Sequence, residues 1–248
     1  MTNFEDNPNI PKYIKRKSEY ETCYWLKNLQ DCIRSVEIIK NIKPSNLCLS
    51  FDTETHEFKH ELLLEVGWCI FNINDENYER NVVAKHFIVK ENRKCCNRKR
   101  VPNNKNNFNF GKSETRTLNE IKGLLENDLN KVDFLLGQGI SNDTKEIDNL
   151  GIDIKRFKNL NGNLENSRII DTRDLYEGCF HEKGISLEKG LKKFNIKYKF
   201  LHNAGNYIYF GIYLNIFSII DYNFKIKNNI IFKNMHMSII KVMTLITQ

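Results

Sequence analysis

The 248-residue sequence predicts an α/β fold, a mixed sheet whose first three strands run antiparallel, with helices on its flanks. Three observations predict it. Apolar, strand-like runs at 47–52, 62–71 and 82–89 follow one another through short connections, the pattern of an antiparallel meander. From residue 118 onward, helical and strand-like patterns alternate, which places helices on the faces of the same sheet. The length allows one well-buried core and leaves room for a small second unit.

Each element has its own local reason. Residues 1–12 are polar with two prolines and are expected to fray. Residues 18–42 carry an apolar stripe at helical spacing (Tyr24, Leu26, Leu29, Ile33, Val36, Ile39), which Pro44 ends. Leu118, Ile121, Leu124, Leu125 and Leu129 mark an amphipathic helix, with Ser113 or Thr117 as its cap. Residues 132–138 read as a buried strand, 143–150 as a short helix closed by Gly151, and 168–172 as a further strand. Residues 186–194 read as a helix capped by Ser186, with Leu187 and Leu191 facing inward. The organisation expected is an N-terminal extension over 1–45, the sheet domain over 46–206, and an atypical tail over 207–248.

The chemistry starts at the end of the first strand. Asp52 and Glu54 are two apart, so on a strand they share one face. Two carboxylates on one face resist burial unless something positive joins them, and a divalent metal is the simplest partner. Hard oxygen ligands suit Mg²⁺ or Mn²⁺. The plainer alternative is a polar strand end before a turn. Asp143 follows a second apolar strand at a helix start, where it could equally cap the helix. His202 lies in Leu201-His202-Asn203, which could be a surface loop. His56 and His60 lie near the first acids, but their spacing compels no ligand role.

The formal charge is +7, and its distribution says more than its size. From 93 to 112 there are seven basic residues, Arg93, Lys94, Arg98, Lys99, Arg100, Lys105 and Lys112, and no acid. Phe108, Phe110 and several asparagines interleave. Such a loop can track a phosphate backbone and stack on bases, or it can be a solvated, disordered insert. The seven cysteines are scattered without a Cys-x-x-Cys pair, and no signal peptide leads the chain. Both point to a reducing, cytoplasmic or nuclear setting. After Asn206 the composition shifts: 30 of the 37 residues in 207–243 are Phe, Tyr, Met, Ile, Asn or Lys. These types have AT-rich codons, so the tail is either an unspliced intron, frame error or decayed terminus, or a genuine segment of an AT-biased genome. Its apolar runs are short and interrupted by Asn, Ser, Asp and Lys, which argues against a membrane span.

Taken in order, three stations carry a family resemblance. They are Leu49-Ser50-Phe51-Asp52-Thr53-Glu54-Thr55, Leu135 through Asp143, and Leu201-His202-Asn203-Ala204-Gly205-Asn206. They resemble the DEDDh-type 3′–5′ exonucleases of the ribonuclease-H-like superfamily, and most closely a fungal subgroup that also has a basic insert. The resemblance covers about 47–206 and implies a ribonuclease-H-like sheet acting on RNA or DNA, in single-stranded form. It implies two-metal phosphodiester hydrolysis with Mg²⁺ or Mn²⁺, the ions ~4 Å apart. Asp52, Glu54 and Asp143 would hold metal, and His202 would be the general base. Arg93, Lys94, Arg98, Lys99, Arg100, Lys105, Phe108 and Phe110 would meet nucleic acid.

One position departs from the family pattern. Its fourth acid falls five residues after the histidine, where this chain has Tyr207. A phenol does not replace a carboxylate on Mg²⁺ at neutral pH. The expectation is therefore a weakened exonuclease. The alternatives are a non-catalytic RNA- or DNA-binding module that retains the fold, and a plain interaction protein.

Overall fold

In the computed structural model, residues 34, 35, 38, 39, 41–72, 82–158, 168–180 and 185–212 are described. Of the expected helix at 18–42, residues 34, 35, 38 and 39 are helical and 41 and 42 are not. Its other residues, residues 1–12 and the tail beyond 212 lie outside the described residues.

The described strands are β1 (Cys48–His56), β2 (Lys59–Phe71), β3 (Val83–Val89), β4 (Ser113–Arg116), β5 (Phe134–Gly137) and β6 (Ile169–Asp171). They form one sheet in the order β4-β3-β2-β1-β5-β6. β1, β2 and β3 pair antiparallel, as the short connections require. β5 lies parallel beside β1 and β6 parallel beside β5. The sheet is mixed and ribonuclease-H-like, as expected. β4 is an addition that the sequence pattern did not show; it closes the basic insert and runs parallel along the β3 edge.

The described helices are α1 (Leu118–Leu129), α2 (Ser141–Asn149), α3 (Thr172–Phe180), α4 (Leu187–Lys193) and α5, helical over 204–212. Thr117, not Ser113, caps α1: its side chain accepts from Glu120 N–H while Glu120 reaches back to the Thr117 N–H, a reciprocal capping box. Ser186 caps α4. Gly151 takes φ +71° just after α2. α3 and α5 were not read from the sequence; Thr172, expected at a strand end, instead begins α3.

The two-residue period of β1 sorts its side chains onto two layers. Leu49 and Phe51 pack with Val66, Trp68 and α1 residues Ile121, Leu125 and Leu129 on one face. Cys48 packs with Cys69, Leu136, Leu175 of α3 and Ile208 and Ile212 of α5 on the other. Ser50, Asp52 and Glu54 continue the Cys48 side, and the Ser50 hydroxyl donates to the Ile208 carbonyl. The alternation that builds the core thus also points the two acids toward the layer that holds α5. A boundary between 206 and 207 would cut that helix, whose Ile208, Phe210 and Ile212 are buried.

Candidate active site and nucleic-acid interface

β1 ends irregularly. The β1–β2 register is regular through Asp52↔Gly67, Thr53↔Val66 and Glu54↔Glu65, then slips between Glu54 and Thr55 and again before His56. Such bulges commonly re-aim side chains beside active sites. Here the slip follows directly on the two acids. Asp143 arrives from the first turn of α2. It does not stand as a simple helix cap: its Oδ1 accepts from both the backbone N–H (2.9 Å) and the hydroxyl (2.7 Å) of Thr53, the residue between Asp52 and Glu54. Asp171, at the end of β6, accepts from the N–H groups of Gly139, Ile140 and Arg173. It holds the loop that delivers Asp143.

The structure therefore brings Asp52, Glu54 and Asp143 together, and their electrostatics show the strain of it. Burial, and then the charges of Asp143, Glu54 and Glu65, push Asp52 well above the ordinary carboxylate range. Burial, and then Glu65 and Asp143, raise Glu54 to about 8. Burial raises Asp143 to about 6 against the two bonds from Thr53. Asp52 Oδ2 is buried and has no hydrogen-bond partner.

An orphaned buried carboxylate oxygen among other acids fits a hard divalent cation in kind. In number the donors fall short. Among the described residues no three His, Cys, Asp or Glu side chains converge closely enough to hold one ion. Asp143 is turned onto Thr53, and the residue in the fourth acid's place is Tyr207. That tyrosine does face the site: after burial, the charges of Asp52 and Glu54 are the leading causes that keep its phenol protonated.

His202 is also drawn in. Its Nδ1 lies 3.8 Å from Glu54 Oε1, and its ring centroid is 5.8 Å from that of Tyr207. Its backbone is left-handed, φ +62°. Burial lowers its pKa, so the imidazole is neutral at physiological pH. The loop around it is fixed by two buried asparagines. Asn203 donates to the Asn104 carbonyl (3.0 Å), and Asn206 donates to the carbonyls of Asn107 and Phe200 (both 2.9 Å) while accepting from Asn109 N–H. Gly67 and Gly205 let the layers close. A Cβ on Gly67 would stand 2.6 Å from the Ala204 carbonyl carbon, and one on Gly205 2.6 Å from the Phe108 ring.

Below that loop lies a buried Glu65–His86 hydrogen bond that the sequence reading missed. Glu65 Oε2 is 2.9 Å from His86 Nε2, and His86 Nδ1 is 2.8 Å from Ser113 Oγ. The Ala204 N–H also points to Glu65 Oε2, at 3.4 Å. The alternation of β2 could have placed Glu65 beside Glu54, but nothing local marked His86 as its partner.

The basic insert divides into two groups. Arg93, Lys94, Arg98, Lys99 and Arg100 are exposed. Lys105, Phe108 and Phe110, expected to meet nucleic acid, are turned to the protein instead. Lys105 is buried and donates to the carbonyls of Arg93 and Cys95. Phe108 packs on His86, and Phe110 stacks on Tyr209 at 3.7 Å between centroids. Their aromatic surface goes into the closure of the His202 loop, a role that composition could not distinguish from base stacking.

Comparison with known proteins agrees with this architecture. A family profile described as DNA polymerase III subunit epsilon-like, C-terminal domain, of the DEDDh type, matches residues 47–214. An uncharacterized protein of Saccharomyces cerevisiae, YDR514C, is 26% identical over 216 residues, covering 77% of this chain and 44% of its own length. The protein of the same yeast called Good for full DBP5 activity protein 2 is 27% identical over 224 residues, 79% of this chain and 38% of its own length. An uncharacterized nucleolar protein of Schizosaccharomyces pombe, C2C4.08, is 30% identical over 172 residues, 66% of this chain and 65% of its own length. The chain thus spans less than half the length of the two budding-yeast relatives. With the profile covering more than half of the sequence, the chain belongs to the DEDDh-type, DNA polymerase III epsilon-like family of exonuclease-like domains.

Proposed function

We propose that this domain binds the end of a single-stranded RNA or DNA at the Asp52–Glu54–Asp143 site and hydrolyses it in the 3′–5′ direction, at a rate held down by Tyr207. The observation that carries the reading is the buried, unpartnered Asp52 Oδ2 set among raised carboxylates. Asp52 and Glu54 would hold Mg²⁺ or Mn²⁺, with Asp143 joining once its carboxylate leaves Thr53. Such a cation, when bound, neutralises the acids and polarises the phosphodiester and its attacking water. His202 supplies the base: it is neutral, and its Nδ1 side faces the acids, so it accepts a proton from that water. Tyr207 presents a protonated phenol where a carboxylate would add charge, so the cation is held less tightly.

The second reading is a non-catalytic RNA- or DNA-binding module on the same fold. Tyr207 and the incomplete convergence of donors among the described residues favour it. A cytoplasmic or nuclear location belongs to either reading, supported by the scattered cysteines and by the fission-yeast relative's description as nucleolar. Among the described residues no helix is long and apolar enough to cross a membrane. The test is a 5′-labelled single-stranded oligonucleotide incubated with the protein and Mn²⁺. Slow shortening from the 3′ end, abolished in Asp52→Ala, supports the first reading. Binding without shortening in both proteins supports the second.

A further inference from the structure

The basic insert is tied down at both ends. At the first, the Glu57 carboxylate accepts from four consecutive backbone N–H groups: Arg98 (3.1 Å), Lys99 (3.1 and 3.2 Å), Arg100 (2.6 Å) and Val101 (3.2 Å). Asn97 locks the same corner, accepting the Glu57 N–H and donating to the Thr55 carbonyl. Consecutive amides curled around one anion form a backbone nest of the kind that elsewhere binds phosphate. Here a carboxylate of the chain itself fills it. At the second end, Lys105 ties the loop to itself, and Asn104, Asn107 and Asn109 bond the His202 loop.

The wrapping has a consequence for the side chains. With their amides directed inward onto Glu57, Arg98, Lys99 and Arg100 are exposed. Lys99 Nζ and the Arg100 guanidinium lie 5.8 and 5.1 Å from the Phe58 ring centroid, which restrains both. Glu57 lies in the β1–β2 turn, three residues after Glu54, so this run of cations is tied to the turn that follows the two acids. Cations already held in place beside the turn that follows the acids attract an approaching phosphate backbone at little cost in side-chain ordering.

The geometry points to residues 97–109 as a rigid wall for a single-stranded nucleic acid, with Arg98, Lys99 and Arg100 contacting its phosphates and Glu57 as the positioning residue that holds them there. This rests on the nucleic-acid reading above. It makes Lys105, Phe108 and the asparagines parts of the latch rather than contacts.

The test uses the full chain and a fluorescein-labelled single-stranded oligonucleotide, followed by anisotropy over a salt series. A matched duplex and a poly-glutamate peptide serve as comparison probes. Replacing Arg98, Lys99 and Arg100 together with alanine is expected to lower the slope of log K against log salt by about 2, given ~0.7 per phosphate contact on a single strand. Glu57→Gln separates position from charge. If Glu57 acts only as a negative charge, removing it tightens binding. If it is the latch, binding weakens by about tenfold although the protein has become more positive, and trypsin cuts after Arg98, Lys99 and Arg100 sooner. The proposal is overturned if the wild-type protein binds the oligonucleotide while Glu57→Gln binds as tightly or tighter with unchanged trypsin sensitivity. An unchanged salt slope in the triple-alanine variant, whose exposed side chains are not needed for folding, overturns it too. Preference for the duplex or for poly-glutamate overturns the assignment of the partner. Failure of the wild-type protein to bind any oligonucleotide instead removes the nucleic-acid reading itself.

Discussion

Asp52, Glu54 and Asp143 carry their protons at pH values where carboxylates are ordinarily ionised, and this makes the fold sensitive to pH. Glu54 is raised from 4.5 to about 8 and Asp143 from 3.8 to about 6. Between the ordinary and the raised values the folded chain binds more protons than the unfolded one, so stability falls as pH rises. Melting of the metal-free protein should therefore shift to lower temperature between pH 5 and pH 8. Added Mn²⁺ should restore more at pH 8 than at pH 5, because protons compete for the same oxygens. Glu57 runs the other way: its four amides lower it from 4.5 to about 2, so its contribution is present above 4.5 and is lost as pH falls toward 2. A melting temperature that rises from pH 5 to 8 without metal would remove the strained-acid description. At this scale Asp52 and Glu54 were legible because β1 alternates, whereas Glu57 was not. Its four partners lie some forty residues ahead in an insert whose composition shows charge and not path.

The elements that frame the site were read where periodicity and caps agree. α1 is the clearest case, since an apolar stripe follows a threonine with glutamate at the third helical position. Thr117→Ala should cost about 1 kcal/mol in a denaturant titration, the usual loss for such a cap. An unchanged midpoint would show that tertiary packing alone holds the helix start. β4 and α5 escaped the reading for different physical reasons. β4 is four residues of mostly exposed polar sequence held by pairing to β3, so it has no apolar period to find. α5 begins inside the His202 motif and runs into a stretch whose composition hides its buried face. The packing of that helix start on β2 is tested by Gly67→Ala, whose Cβ would meet the Ala204 and Gly205 backbone at 2.6 to 2.7 Å. Backbone at that distance has little freedom to yield, and a loss of about 1–3 kcal/mol is expected. Full stability in that variant would mean that the α5 start does not seat on β2 as described.

Across the whole molecule, one sheet order delivers every part of the site. β1 brings two acids, the first turn of α2 the third, the loop before α5 the histidine and α5 itself the phenol, and the insert ties the β1–β2 turn to that loop. The order of motifs along the chain made the family legible, but the convergence of the site depends on long-range contacts that no local pattern reports. Thr53 holding Asp143 and Asn206 bridging to Asn107 are examples. The central proposal is that Tyr207 stands where a fourth acid would, beside Asp52, Glu54 and Asp143, and thereby sets how tightly these acids hold a cation. Calorimetric titration of Mn²⁺ into the wild-type protein and Tyr207→Asp tests this directly. The account predicts that the added carboxylate tightens binding by about tenfold or more, the scale on which single residues around a metal change its affinity. Equal Mn²⁺ affinity in the two proteins would contradict it.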